Sequence, residues 1–200
     1  MTYGECRNRA LQLAFNYSLA GSEIPDTYNN QADYLAMIPG LINEAEMDIA
    51  TTVRRIPAQK ALSDLHCIPG DREDVYLLPR DCYLPVTGGL IDERRPERFS
   101  GFRFVGRNKI SVPHGLGEYL TLEYFRYPRK LHQSVHDGCR LDNDPAVHEC
   151  IPYYVAYGLL LYDDAYRAQV FKNEYEQRKF RLREPVWLEA GAIKNLYGRG

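Results

Sequence analysis

Residues 144–182 carry two consecutive helix patterns, and this stretch constrains the fold of the chain most strongly. Asp144 followed by Pro145 is typical of a helix N-terminus, because an aspartate side chain caps the first turn and proline fits the first helical position. Apolar residues then recur at three- and four-residue spacing: Val147, Cys150, Ile151, Tyr154, Val155, Leu159 and Tyr162. Asp163 and Asp164 predict a turn, after which the apolar residues of a second, charged helix share one face: Ala168, Phe171, Tyr175 and Leu182. The pattern predicts a helical hairpin whose apolar surface must be covered by other helices of this chain or by a neighbouring subunit.

Two further helices are predicted in the N-terminal part of the chain. Residues 2–19 fit a first helix, which is followed by a polar loop. Residues 30–54 fit a second helix with a continuous apolar stripe: Tyr34, Ile38, Leu41, Ile42, Ala45, Ile49 and Val53. Pro39 and Gly40 are expected to kink or restart this helix, and Pro57 is expected to end it.

The middle of the chain has a different periodicity. Between residues 59 and 129 the pattern changes to period two, and turn residues appear about every 8 to 12 positions, which is typical of short antiparallel strands. The predicted strands are 60–66, 74–78, 87–92, 101–105, 109–112 and 118–127. Residues 106–108 predict a tight hairpin turn. These strands indicate a small antiparallel β-sandwich or barrel.

The predicted fold class is therefore α+β: a bundle of about four helices with an inserted β region and an extended C-terminal arm. Residues 1–57 and 131–183 are predicted to form the helical bundle domain, and residues 58–130 the β insert. Residues 184–200 are predicted to be a docking arm with a sparse set of apolar residues: Trp187, Leu188, Ile193, Leu196 and Tyr197.

Composition excludes several classes of protein. The longest apolar run, residues 155–162, is too short to cross a bilayer, and the N-terminus lacks the basic and hydrophobic blocks of a signal peptide. The five cysteines are an odd number without a C-x-x-C pair, so we expect a reducing compartment rather than a disulfide framework.

One group of side chains resembles a metal site. His132, His136 and Cys139 have the spacing H-x3-H-x2-C, but this matches no common zinc finger and no second pair closes a site. Solvated loop histidines are the simpler interpretation. No nucleophile-elbow, phosphate-loop, zinc-protease or dinucleotide-binding motif occurs. We therefore expect no metal, no cofactor and no enzymatic activity, with a zinc-dependent enzyme as the alternative that His132 and Cys139 leave open.

Basic residues are concentrated in the β region. The possible DNA contacts are Arg94, Arg95, Arg98, Arg107 and Lys109. Asp92, Glu93 and Glu97 are interspersed among them, and arginine alternating with phenylalanine is typical of a strand with one buried and one wet face. A nucleic-acid-binding regulatory protein that uses this Arg-rich β region is the alternative function.

Tyrosines and charges indicate a protein interface on the helical hairpin. Sixteen tyrosines are present, and an aromatic ring with a polar tip suits a subunit-facing surface, although core packing explains some of them equally well. Residues 131–164 carry one basic and six acidic side chains, whereas residues 165–200 carry eight basic and four acidic ones. This asymmetry fits either pairing within the chain or head-to-tail charge matching between subunits. The candidate interface residues of the hairpin are Tyr153, Tyr157, Tyr166, Arg178 and Arg181.

Three stretches of sequence carry a resemblance to a known family. They are the helix opening MTYGE at residues 1–5, the segment IPGLINEAE at residues 38–46, and the segment PAVHECIPYYVA at residues 145–156, which leads to Tyr166, Phe171 and Tyr175. With a β region inserted before the third stretch, the order of elements resembles the head-to-tail adaptor (connector) proteins of tailed bacteriophages, including the tail-tube gatekeeper proteins of short-tailed phages. The chain differs from that pattern in its short arm and in Pro152, which lies inside the third predicted helix.

The resemblance implies a structural virion protein without catalytic residues. Proteins of this kind assemble as a ring, commonly of twelve copies, in the neck between capsid and tail, after synthesis in the cytoplasm of the host bacterium. The implied partners are further copies of the chain, the portal protein, and a tail tube, nozzle or stopper protein, with no membrane contact. Genomic double-stranded DNA passes through the central channel during ejection without sequence-specific binding. The resemblance also implies that residues 145–182 pack within the ring and that residues 184–200 dock on the portal or on the next tail component.

Overall fold

The computed structural model describes residues 1–15, 31–95 and 97–182. Across these residues the chain forms four α-helices and eight β-strands in antiparallel sheets, which confirms the α+β class. The chain divides into two compact units: a helical unit, Met1–Arg54 with Pro128–Gly200, and a β unit, Arg55–Tyr127. None of the helices in the described ranges has both the length and the apolar character needed to cross a membrane. The predicted arm at 184–200 lies outside the described residues, as do its residues Trp187, Leu188, Ile193, Leu196 and Tyr197.

The helical unit contains α1 (Tyr3–Phe15), α2 (Gln31–Thr52), α3 (Ile151–Leu160) and α4 (Ala165–Arg181). A capping box begins α1, because the Thr2 N–H donates to Glu5 Oε2 at 2.8 Å and the Glu5 N–H donates to Thr2 Oγ1 at 3.3 Å. The side chains that fill the core of this unit come from all four helices and include Cys6, Ala10, Ile38, Ile42, Ile49, Val155, Leu159, Ala168 and Tyr175.

Four prolines bear on the predicted course of the helices. Asp144 does accept the Ala146 N–H at 2.9 Å, but Pro145 begins only a short 3-10 turn, and the α-helix begins at Ile151. Pro152 explains this, because it has no N–H to donate four residues back and is tolerated only in the first turn of a helix. Of the kink or restart predicted at Pro39, the restart does not occur, because α2 is continuous from Gln31 to Thr52. The same helix ends at Thr52, and Pro57 lies in a strand instead of ending the helix.

Glu46 holds the polar connection that precedes α3. Its side chain is fully buried, and its Oε1 accepts the backbone N–H groups of Asp142 at 2.8 Å and Asn143 at 3.2 Å. The Asn143 side chain returns a hydrogen bond from its Nδ2 to the Glu46 carbonyl oxygen at 3.1 Å. Burial raises the pKa of the Glu46 carboxyl group, while the two backbone N–H donors act in the opposite direction.

The β unit contains two four-stranded antiparallel sheets, with strand orders β1-β8-β4-β5 and β2-β3-β7-β6. The strands are β1 (Ile56–Ala61), β2 (Cys67–Ile68), β3 (Glu73–Leu77), β4 (Cys82–Asp92), β5 (Glu97–Arg98), β6 (Arg103–Phe104), β7 (Lys109–Pro113) and β8 (Leu120–Arg126). Strand β8 pairs with both β1 and β4, and its alternate residues Leu120, Leu122 and Tyr124 are buried as their period-two pattern predicts. The predicted hairpin turn at 106–108 is confirmed, because β6 pairs with β7 and Gly106 has φ 68°.

Several predicted strands have different bounds. The strand predicted at 60–66 is wrong, since β1 occupies Ile56–Ala61 and Leu62–Asp64 form a 3-10 turn. Pro57 lies within β1, which is an edge strand, where proline is tolerated. Strand β4 begins at Cys82, five residues before its predicted start, and its register with β8 shifts between Pro85 and Leu90.

Candidate functional site

The inward face of α4 fixes the orientation of this helix in the helical unit. Ala168 and Tyr175 are each only 1% exposed, and both lie in the core. The Tyr175 hydroxyl donates to Asp48 Oδ2 at 2.5 Å, and Lys179 Nζ donates to the same carboxylate oxygen at 2.8 Å. Burial, and next the hydrogen bond to Asp48, raise the pKa of Tyr175. Since these contacts tie α4 to α2, the helix cannot rotate to bury its opposite face.

That opposite face carries no charged side chain. Its residues follow each other at spacings of four, three, four and three, which places them on one side of an α-helix: Tyr166, Val170, Asn173, Gln177 and Phe180. We call these five residues the α4 stripe. All five are exposed, although seven of the 17 residues of α4 are charged.

The apolar members of the α4 stripe are exposed to solvent. Tyr166 is 81% exposed, Phe180 is 66% exposed and Val170 is 45% exposed. Tyr162, 87% exposed, and Leu161, 40% exposed, lie in the turn between α3 and α4. A solvated helix face of a monomer is ordinarily charged, so an outward face that combines aromatic rings with uncharged amides is typical of a protein-binding surface.

The predicted interface residues fall into two groups. Tyr166 lies in the α4 stripe, and Arg181 is exposed one turn beyond Gln177 at its edge. Tyr153 and Tyr157 are half-buried and already covered within the helical unit. The Arg178 guanidinium lies over the Tyr153 ring at 4.2 Å, and Lys172 Nζ lies 5.4 Å from the centroid of the Tyr157 ring. The structure therefore places Tyr166 and Arg181 at the surface, at opposite ends of α4, and places Tyr153, Tyr157 and Arg178 in contacts between α3 and α4.

Part of the tyrosine enrichment serves the interior of the helical unit. The Tyr154 hydroxyl donates to Glu44 Oε2 at 3.1 Å, and burial raises the pKa of Tyr154 to about 12. The Tyr34 hydroxyl donates to Asp163 in the turn before α4. With Tyr175 and Asp48, three tyrosine–carboxylate pairs join α2 to the helical hairpin.

The N-terminal half of α2 presents a second exposed surface that is poor in charge. Leu35 is 36% exposed and Met37 is 39% exposed, and Ala36 and Gly40 between and after them are also exposed. Ala36 and Gly40 share one side of the helix, whereas Leu35 and Met37 lie on opposite sides of it. A Cβ atom added at Gly40 would meet nothing within 4 Å, so the helix is open to solvent there. The sequence pattern did not identify Leu35, Met37, Val170 or Phe180 as exposed residues. The signal that could have identified them is that each is an apolar residue outside the predicted buried stripe of its own helix.

The basic residues of the β unit are accompanied by acidic partners. Arg94 pairs with Asp92 at 2.8 Å and lies over the Tyr119 ring at 4.3 Å, and the hydrogen bond from Arg94 lowers the pKa of Asp92 to about 2. Arg98 lies 3.9 Å from the Glu123 carboxylate. Of the other possible DNA contacts, Arg95 and Arg107 are exposed and Lys109 is half-buried. These charges do not form a surface of one sign.

The candidate metal ligands of the alternative interpretation lie in the loop that precedes α3. His136 Nδ1 accepts the Gly138 N–H at 3.0 Å, and Cys139 lies in the same loop. Within residues 1–15, 31–95 and 97–182, no three His, Cys, Asp or Glu side chains are grouped so that they could hold a metal ion. Burial raises the pKa of the Cys82 and Cys150 thiols to about 11, so both are protonated near neutral pH.

Comparison with known proteins adds no relative: no family model and no curated protein matches the sequence.

Proposed function

We propose that this chain is a structural virion protein that forms a ring and joins the portal to the tail of a bacteriophage. In this proposal the four helices form a bundle and the two sheets form a small sandwich inserted into it. The α4 stripe carries the proposal, since an uncharged outward face on an otherwise charged helix fits burial against another protein chain. Tyr166 and Arg181 are the predicted interface residues that lie at this surface.

The charge distribution of the β unit supports a conduit for DNA. A channel through which DNA must pass requires weak contacts, because each unpaired cation that meets a phosphate adds affinity by releasing counterions. Arg94, Arg98 and Arg103 each lie beside a carboxylate, at 2.8, 3.9 and 2.7 Å. Neutralised arginines of this kind favour passage of genomic double-stranded DNA over its retention.

The partners follow from the proposed position in the neck of the virion. Copies of the chain would meet each other around the ring, one rim would meet the portal protein, and the other would meet a tail tube, nozzle or stopper protein. The short segment 184–200 is the proposed docking arm. We expect the purified protein to remain monomeric until the portal presents a template.

The deciding experiment is negative-stain imaging and mass photometry of the protein alone and mixed with the portal protein encoded beside it. We expect monomers alone and a ring of about a dozen copies on the portal. A protein that stays monomeric with the portal and with every neighbouring virion protein would contradict the proposal.

A DNA titration over a salt series separates the proposal from a regulatory DNA-binding role. We expect weak binding without sequence preference and with a shallow salt dependence. Tight binding to one sequence with a steep salt dependence would instead favour the regulatory role.

A further inference from the structure

We propose that one end of the β unit meets the phosphates of the DNA that passes through the channel. At this end β3 and β6 finish, and β1, β4 and β7 begin. We call its basic side chains the basic end: Arg55, Arg80, Arg107, Lys109 and Arg126. This inference rests on the proposed channel and names the surface of the chain that meets the DNA.

Strand pairing in one sheet brings part of the basic end together. Lys109 begins β7 and pairs with the last residue of β3. Just beyond this pair, the Leu78 N–H donates to the Asn108 carbonyl oxygen at 2.8 Å. The turn between β6 and β7, which carries Arg107, therefore lies beside the loop that carries Arg80.

The other sheet begins at the same place. The loop with Arg80 leads directly into β4, whose first residue, Cys82, pairs with Arg126. Arg126 also pairs with Ile56, the first residue of β1, and Arg55 comes directly before it. The five basic side chains thus belong to one end of both sheets, although they are up to 71 positions apart in sequence.

The acidic side chains of the β unit are concentrated at the opposite end. There β3 begins and β4 finishes, and that end carries Asp64, Asp71, Glu73, Asp74, Asp92, Glu93, Glu97 and Glu118. Among the described residues of the basic end, the one carboxylate is that of Asp81, which accepts the Tyr124 hydroxyl at 3.2 Å. The β unit is therefore polarised along its strands, and a polyanion is attracted to one end and repelled by the other.

The cations of the basic end are available to a ligand. Arg55, Arg80 and Arg107 are exposed. Across the part of the chain that the structure describes, Arg80, Arg107 and Lys109 have no carboxylate partner, and the Arg55 guanidinium lies over the Phe125 ring at 5.3 Å. A guanidinium group suits a phosphate, because its planar fork can donate two parallel hydrogen bonds to the phosphate oxygens.

The possible DNA contacts that the sequence predicts divide between the two ends. Arg107 and Lys109 belong to the basic end, whereas Arg94, Arg95 and Arg98 lie at the opposite end among the acidic side chains. The basic end has room for only a few phosphate contacts, and each adds about 0.9 to the slope of log affinity against log salt concentration. Weak binding that does not depend on base sequence follows, as passage of DNA requires.

The experiment compares two double charge reversals at opposite ends of the β unit. Arg80→Glu with Arg107→Glu changes the basic end. Arg72→Glu with Arg95→Glu is the matched control, because it changes the net charge equally, at exposed arginines of the opposite end that also lack a carboxylate partner within the described ranges. Circular dichroism and thermal unfolding establish that each variant is folded.

Binding of duplex DNA of random sequence is measured by fluorescence anisotropy over a salt series that starts at low salt. We expect the basic-end variant to lose affinity by about tenfold or more, with a salt slope shallower by about two, because two phosphate contacts are lost. The control variant should lose less than about threefold.

Nuclear magnetic resonance of the unchanged protein locates the contact without any variant. Duplex DNA should shift the amide signals of residues 78–80 and 106–109 and leave those of residues 92–95 in place. A polyglutamate of equal charge should shift the same signals far less, because a carboxylate chain lacks the charge density of duplex DNA.

The outcomes separate this inference from the proposed function. The inference is wrong if the unchanged protein does not bind duplex DNA at low salt, or if the two double variants bind it equally well. It is also wrong if polyglutamate binds as tightly as DNA, since the basic end would then take an acidic protein. Imaging with the portal decides the ring independently: a ring whose basic end ignores DNA leaves the proposed function standing, whereas DNA binding at the basic end without a ring overturns the proposed function alone.

Discussion

The two units of this protein use carboxylates in different ways. In the helical unit, the buried Glu46 and the half-buried Asp48 accept hydrogen bonds from residues about a hundred positions or more away in sequence. In the β unit, Asp74 is the buried acid, only 5% exposed, and it fixes the turn residues His114 and Gly115 rather than joining strands. Helices satisfy their own backbone, so only side chains can specify how they meet, whereas strands specify each other through backbone pairing.

This difference predicts where each unit is vulnerable. The helical unit should be sensitive to loss of its few polar anchors. The β unit should be sensitive to changes at the central strand and at places where backbones approach closely.

The largest effect is expected from Leu122→Ala in the central strand β8. Leu122 is 1% exposed and packs in the core of the β unit, so its truncation removes apolar contact and leaves a cavity. We expect a loss of about 2–5 kcal/mol in the free energy of unfolding, measured by urea denaturation with hydrogen exchange of the β-unit amides. The matched control is Leu84→Ala in β4, where the side chain is 40% exposed and the loss should stay below about 1 kcal/mol. Equal losses for the two variants would show that β8 is not the centre of this core.

The next effect is expected at the anchor Glu46. Glu46→Ala leaves the buried N–H groups of Asp142 and Asn143 without an acceptor, which should lower the free energy of unfolding by about 2–4 kcal/mol. Glu46→Gln keeps an acceptor oxygen and should retain most of that stability. An alanine variant as stable as the glutamine variant would mean that these hydrogen bonds do not hold the connection.

The same pair of variants tests a pH dependence. Because burial raises the pKa of Glu46 above its ordinary value, the folded protein binds this proton more tightly than the unfolded chain does. The stability that comes from Glu46 is then fully present below the ordinary pKa and is lost as pH rises through the raised one. We expect the melting temperature of Glu46→Gln, relative to the unchanged protein, to increase between about pH 4 and pH 8. A constant difference over this range would contradict the raised pKa.

Each unit contains a glycine whose α-carbon lies too close to neighbouring atoms to accept a Cβ freely. A Cβ at Gly89 in β4 would lie 2.7 Å from the Val86 carbonyl oxygen and 2.8 Å from the Glu123 carbonyl oxygen, and backbone atoms cannot move aside. A Cβ at Gly158 in α3 would meet only the side chain of Leu41, at 2.4 Å, which can change rotamer. We expect Gly89→Ala to cost about 2 kcal/mol and Gly158→Ala less than about 1 kcal/mol, because alanine favours the helix. Thermal unfolding of both variants decides the order, and the reverse order would contradict the comparison.

The smallest effect is expected from Asp137→Asn on the surface of the helical unit. Asp137 accepts two hydrogen bonds from Arg7, at 2.7 and 2.9 Å, but its side chain is 56% exposed. Solvent screens such a pair, so we expect a loss of about 0.5 kcal/mol that shrinks further at high salt. A loss in the free energy of unfolding as large as that of Glu46→Ala would contradict this prediction.

Patterns along one element could be predicted from the sequence. The inward residues of α4, Ala168 and Tyr175, and the buried residues of β8 follow the periods of helix and strand, which depend only on local geometry. The Asp144 cap was also predictable, whereas the break at Pro152 moved the start of α3.

Contacts between elements could not be predicted in the same way. The partners of Glu46 lie about a hundred residues further along the chain, and nothing in its own neighbourhood indicates that it is buried. The α4 stripe lies opposite the inward residues that periodicity predicts, but the periodicity does not show how exposed its side chains are. Only the structure gives that exposure, which is 81% for Tyr166 and 45% for Val170.

Pro57 has a consequence for how the β unit meets other copies of the chain in solution. It lies in β1, the edge of its sheet, and offers no backbone N–H to a further strand. An exposed edge of six residues would otherwise be a template on which neighbouring β units could add strand to strand and grow into fibres. Pro57 therefore hinders strand addition at this edge. We expect the Pro57→Val variant to aggregate more readily than the unchanged protein, as measured by light scattering.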